Sequence, residues 1–296
     1  MLFAEDLCHT IKREDLLTTS SRFLYLGAQG PDPFFYYNFW PKISDQGVND
    51  IGLKLHQEKC GDFLLDIIEY GQLLKNHSQT YILGFVSHHI LDRATHPYIH
   101  YKSGYEGNKH QALEVAIDTI MLEKHRNLYT WKTRVHKEIC LTKRERAAIS
   151  SWLSPCIENH FSVQQLPHGF VEKSFRDMKW AQLILFDPYH WKNKLLGSMV
   201  SSFSHQPLDK NIDYLNTKQR EWKHSATNVP SNLSFEKLYN DALQEASSLF
   251  EMILEYWNPY GTVNLKQVST LLDHISYDTG LPLSRNLDNL YSEPII

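Results

Sequence analysis

Apolar residues recur at helical spacing along most of the chain. Residues 2–17 form a short amphipathic stretch, and the Gly, Pro and Asp of residues 27–33 break the pattern. Residues 50–74 read as one long helix, with Leu53, Ile67 and Leu74 on or near one apolar stripe. Ser78 is placed to cap a helix over 79–95, and Pro97 is expected to end it, because the residue before a proline is pushed out of the α region. Gly104 and Gly107 mark a loop before a helix over 108–123. Thr142 and Glu145 have the spacing of a capping box, opening a helix to about His160. Further helices are expected near 169–186, 188–203, 234–256 and 265–277. Residues 206–232 are polar, contain Pro207 and Pro230, and read as an irregular connection. No alternating strand pattern and no internal repeat stands out. The expected fold is all-α: a single-domain multi-helix bundle over 1–296, with a metal-binding half of about 1–130 and a helical remainder over 131–296.

The composition fits that reading. The chain has 296 residues, 42% hydrophobic and 22% charged, enough for a sizeable core without covalent staples. A net charge of -4 argues against a general electrostatic grip on nucleic acid. No apolar run approaches the ~18 residues of a membrane span. The first ten residues carry Glu5 and Asp6 and lack the order of a signal peptide, so a cytoplasmic location is expected. Cys8, Cys60, Cys140 and Cys156 are scattered, with no Cys-x-x-Cys pair; free thiols are expected rather than a cysteine zinc site.

The 16 histidines change the picture, because several are spaced as metal ligands. His88, Asp92 and His96 are four residues apart and share one helix face; His100 follows just beyond Pro97. His110, Glu114 and Asp118 repeat the spacing. Two antiparallel helices facing each other with such stripes can hold two metals, since imidazole nitrogen and carboxylate oxygen are both good zinc donors. The bland alternative is a set of surface His–acid pairs. Against it, Ile82, Leu83, Phe85, Val86, Ile90 and Leu91 surround the first stripe, and Leu113, Val115, Ile117 and Ile120 the second. Buried charges there cost several kcal/mol each unless paired or metal-bound.

The order Gly27-Ala28-Gln29-Gly30-Pro31-Asp32-Pro33, His56, His88-x-x-x-Asp92, His96-Pro97 and His110-x-x-x-Glu114 resembles the zinc-dependent phospholipase C family, relatives of the all-helical single-strand-specific zinc nucleases. The resemblance is detailed over roughly the first 125 residues and implies roles. Asp32, His56, His88 and Asp92 match the ligands of one zinc; His96, His110 and Glu114 match those of a second. Asp92 matches the carboxylate that bridges toward a third, and Asp32 also matches a general base beside the metal-bound water. Asp118 is implied as a partner that orients His110, and His100 as an alternative ligand to His96. The implied activity is hydrolysis of a phosphate ester, phospholipid among the candidates, by a metal-bound hydroxide.

Two features depart from the family. Its histidine on the third zinc usually stands just before a Leu-Phe-Ala segment, and here that segment is Leu2-Phe3-Ala4, directly after Met1, so the true start is expected to lie upstream; His9 is a poor substitute. His96 also precedes its proline, where the matching histidine in the best-known enzymes follows one. Phe34, Phe35 and Tyr36 read either as the apolar wall of a substrate pocket or as anchors of the loop into the core. Arg93 can hold a phosphate or pair with an acid. His160, His168, His190, His205 and His224 show no ligand spacing and read as structural. The competing function is a non-catalytic, metal-stabilised binding or structural protein of the same fold. A His-Asp phosphohydrolase is disfavoured, because the motif region has no His-Asp dipeptide.

Overall fold

A computed structural model describes residues 1–39, 44–161, 163, 166–189 and 204–296. Twelve α-helices are found among the described residues: α1 Leu2–Thr10, α2 Glu14–Thr19, α3 Ser21–Gly27, α4 Val48–Gln57, α5 Cys60–Gly71, α6 Asn76–Ser103, α7 Lys109–Arg126, α8 Val135–Glu138, α9 Lys143–Phe161, α10 Phe170–Leu185, α11 Phe235–Trp257 and α12 Leu265–Leu272. The all-α expectation holds. One small exception is a two-stranded antiparallel ribbon, β1 Trp222–Lys223 and β2 Pro230–Ser231, inside the stretch read as irregular. The helix expected near 188–203 falls almost wholly outside the described residues.

Helix α6 is the axis of the molecule. Its 28 residues span about 42 Å. Twenty of them are buried, so it is covered on nearly all sides rather than along one stripe. Gly27 of α3 and Gly84 of α6 let these helices touch backbone to backbone: a Cβ on Gly84 would lie 2.3 Å from the Leu24 carbonyl oxygen. Helix α11 lays a regular stripe of Phe235, Tyr239, Ala242, Ala246, Leu249, Phe250 and Ile253 into the core. The Thr142–Glu145 capping box forms, with Thr142 N donating to Glu145 Oε2 at 2.6 Å and Glu145 N to Thr142 Oγ1 at 3.3 Å.

Three expected boundaries are corrected. The long helix over 50–74 is two helices, split where Lys59 takes a left-handed φ of 49°. Buried Val48, Ile51 and Leu55 would put positions 59, 62 and 66 next on the same face, but the buried positions are Cys60, Phe63, Leu64 and Ile67. The core-facing side therefore jumps by one residue, about 100° of helix, and one straight helix cannot follow it. Leu53 is 48% exposed and not on the buried stripe.

Pro97 does not end α6, which starts two residues before Ser78 and runs on to Ser103. A mid-helix proline removes one hydrogen bond, here the one owed to the Arg93 carbonyl. Gly280, at φ +63°, closes over that carbonyl so tightly that a Cβ would lie 2.1 Å from its oxygen. Tertiary packing thus covers the interrupted turn. The last carbonyls of α6 are satisfied from the C-terminal segment, by Glu293 N on Tyr101 O (2.7 Å) and Ile295 N on Lys102 O (2.8 Å).

The third correction is at α12, which opens with an Asn264–Gln267 capping box and stops at Leu272, because Asp273 turns left-handed at φ 52°. Residues 273 and 274 then pack on Gly61 and Asp62 of α5, and residues 275–280 lie against α6.

Candidate metal centre

Helices α6 and α7 are joined by a short loop and run antiparallel. His100 faces His110 with ring centroids 4.6 Å apart, and one turn back His96 Nε2 lies 3.3 Å from Glu114 Oε1. The two stripes foreseen in the sequence therefore meet across one gap. Two further elements complete the surroundings. The 3₁₀ turn Asp32–Tyr36 brings Asp32, and the last turn of α4 brings His56.

The first group of donors is Asp32, His56 and His88. Asp32 Oδ1 lies 3.5 Å from His56 Nε2 and 3.9 Å from His88 Nε2. His56 donates through Nδ1 to the Gly52 carbonyl at 2.7 Å, which leaves Nε2 facing inward. Gly30 makes room for His88: its φ is +53°, and a Cβ there would lie 2.1 Å from the ring. A second group is His96, His110 and Glu114, with Glu114 Oε1 3.0 Å from His110 Nε2. Asp92 joins the two groups, its Oδ2 lying 2.9 Å from His88 Nε2 and 3.6 Å from His96 Nε2.

A tetrahedral zinc with bonds of about 2.0–2.1 Å sets its donors roughly 3.3 Å apart, which these separations straddle. The hydrogen-bond pattern agrees. His88 Nε2, which faces Asp32 and Asp92, and His100 Nε2 are buried without a hydrogen-bond partner; so are His96 Nδ1 and His110 Nδ1, on the side of each ring opposite the nitrogen that faces Glu114. A buried, orphaned ring nitrogen set among carboxylates, as at His88 Nε2, is costly unless an ion takes it up. The residues present fit a metal.

Electrostatics tie the cluster together. Burial opposes the charged forms throughout, but Asp92 and Asp32 raise His88, and Asp92, Asp278 and Glu114 hold His96 well above the usual imidazole range. Burial likewise works against ionised Glu114, yet His110 and His96 keep its carboxyl well below the usual carboxylate range.

The donors line one cavity of about 530 Å³. Phe35 and Tyr36 line it as well, and the Phe35 ring lies 5.6 Å from that of His56. Phe34 does not: it is 1% exposed and packs on Phe170, so the pocket-wall reading fails at that residue and the core-anchor reading holds. The expected role of Asp118 also fails. It sits two turns, about 12 Å, along the helix from His110, beyond the reach of either side chain. It lines the cavity near Asp92 and Glu114; burial pushes its carboxyl up to about 6, and those two acids add to the shift while the chain's amino group opposes it.

His100 belongs to a third group, with His96 and Asp278. Asp278 was missed in the sequence, since it sits on a turn with no ligand-like spacing. Arg93 is structural: it donates to the Leu272 carbonyl at 2.6 Å and pairs with Glu245. His9 is exposed beside Glu14. His160 bonds Asp66, His205 bonds Thr119, His168 is exposed, and His190 lies outside the described residues. His224 accepts from the Ala226 backbone N–H. All four cysteines are free. No described helix is long and apolar enough to cross a membrane.

A family model described as zinc dependent phospholipase C matches residues 2–166, more than half of the chain. No curated protein and no solved structure matches.

Proposed function

The chain belongs to the zinc-dependent phospholipase C family, and on that premise we propose that it hydrolyses a phosphate ester at a site of at least two zincs, one held by Asp32, His56, His88 and Asp92 and one by His96, His110 and Glu114. The observation that carries this reading is the convergence of these seven side chains, from four separate segments, on one cavity of about 530 Å³. When bound there, zinc lowers the pKa of a water toward ~7 and neutralises phosphoryl oxygens.

The chain's own residues divide the remaining work. Asp32, with a side chain 42% exposed to the cavity, accepts the proton of the attacking water. Asp92 spans both groups and fixes their separation. His56 is held in register by the Gly52 carbonyl, so its inward nitrogen is a donor of fixed direction. Phe35 and Tyr36 give the mouth of the cavity an apolar wall against which a lipid or other apolar substituent can lie.

The test uses zinc-replete protein on phosphatidylcholine, p-nitrophenyl phosphorylcholine and single-stranded DNA. Turnover of at least one is expected, lost together with zinc in His88→Ala and Asp92→Ala. Full zinc occupancy with no turnover on any of them would count against this reading and support the alternative of a metal-stabilised binding protein.

A further inference from the structure

Asp278 lies outside residues 2–166, the stretch that matches the family. The segment around it nevertheless packs directly on the metal helix. His89 Nε2 lies 2.9 Å from the Ile275 carbonyl. Tyr277 is fully buried, donates its backbone N–H to the His56 carbonyl at 3.3 Å, and sets its ring 5.0 Å from that of His56 and 4.4 Å from that of His89. Gly280 closes over the Arg93 carbonyl. Between these anchors, Asp278 Oδ2 accepts from Gln57 Nε2 at 3.1 Å, which turns Oδ1 toward α6. There Oδ1 lies 3.7 Å from His96 Nδ1 and 3.8 Å from His100 Nε2, two buried ring nitrogens with no other partner.

His96 can present only one nitrogen to the second zinc group. Nε2 already faces Glu114 and Asp92, so Nδ1 must carry the proton and needs an acceptor. Among the described residues, the acceptor facing it is Asp278. A carboxylate behind a metal-binding imidazole fixes the tautomer, orients the ring and raises its basicity.

We propose that Asp278 is the positioning carboxylate of the metal centre: it holds His96 with Nε2 toward zinc, so that the C-terminal segment around residues 275–280 is an integral part of the site. The proposal rests on the reading of His96 as a zinc ligand. The competing possibility is that Asp278, His96 Nδ1 and His100 bind an ion of their own.

The test measures zinc stoichiometry and affinity, by competition against a chromophoric chelator, in the full chain and in Asp278→Asn, Asp278→Ala and His100→Ala. The d–d spectrum of the cobalt-loaded proteins is recorded alongside. Both Asp278 variants are expected to bind the same number of zincs as the natural chain, with one site weakened about 10–100-fold and its cobalt bands shifted. His100→Ala keeps the full count. A general loosening of the fold would lower the melting temperature in chelator but leave the cobalt bands in place, and that result overturns the proposal. Unchanged affinity in both Asp278 variants overturns it too, as does loss of one zinc per chain in the Asp278 variants and in His100→Ala. A natural chain that binds no zinc instead defeats the family-based reading of the site.

Discussion

Gly30→Ala is the sharpest single perturbation, because it separates backbone strain from metal binding. Gly30 has φ +53°, and an alanine Cβ would fall 2.1 Å from His88 Cδ2, 2.5 Å from Cγ and 2.7 Å from Nε2. Ordinary contact begins near 3.4 Å, so the imidazole must retreat by about 1.3 Å. A zinc ligand tolerates errors of only ~0.2 Å. Zinc affinity at the Asp32–His56–His88 group should therefore fall by at least the ~10–100-fold that loss of a mere outer partner costs. The left-handed backbone adds about 1–2 kcal/mol of destabilisation to the folded chain, with or without metal. Gly107→Ala isolates that second effect, since Gly107 has φ +54° and nothing within 4 Å of its added methyl. Chelator competition reads the affinity, and thermal unfolding in excess chelator reads the strain. Both variants should melt lower than the natural chain in chelator, and Gly30→Ala alone should lose zinc. Equal zinc affinity in the two variants would refute the placement of His88 at a metal.

Further outcomes follow from the same geometry. His88 and His96 bind protons more tightly in the folded chain than unfolded. In the zinc-free chain their contribution to stability is thus fully present below ~6.5 and lost as pH rises through their folded values. Glu114 and Asp278 have the opposite sign, contributing above ~4 and losing the contribution as pH falls through their lowered values. The urea midpoint of the zinc-free chain should therefore decline on both sides of a mildly acidic maximum, and a flat profile contradicts the coupling. Zinc needs the neutral imidazoles, so binding near neutral pH should release protons, seen as buffer-dependent heats in calorimetry; heats independent of buffer count against it. Arg93→Ala leaves the Leu272 carbonyl unpaired and should cost about 1–3 kcal/mol in urea unfolding, with zinc per folded chain unchanged. His9→Gln should leave zinc binding as it was, because His9 is exposed beside Glu14; a lost zinc would show that it is a ligand.

The local part of the site was legible in the sequence, and the long-range part was not. The spacing of His88, Asp92 and His96, and of His110 and Glu114, is helix geometry written along the chain, so the two stripes and their facing followed from periodicity. Asp32 and His56 have no periodic signal and entered through family resemblance alone. Asp278 had neither: it sits on a turn after a left-handed residue, brought to His96 by packing across more than 180 positions. The continuation of α6 past Pro97 was hidden for the same reason, since the residue that packs over the interrupted turn, Gly280, comes from far along the chain. The split of residues 48–71 into α4 and α5 was readable in principle, from the one-residue jump in the apolar phase at Lys59. Phe34 and Phe35 show the limit of composition: adjacent and identical in kind, one anchors the core and the other lines the cavity.

The most direct test of the central claim is elemental analysis of the purified full chain after equilibration with zinc and removal of loosely bound ions. At least two zincs per folded chain are expected, falling when Asp92 is replaced by alanine. A folded, zinc-free natural chain would show that these buried imidazoles and carboxylates satisfy one another without a metal.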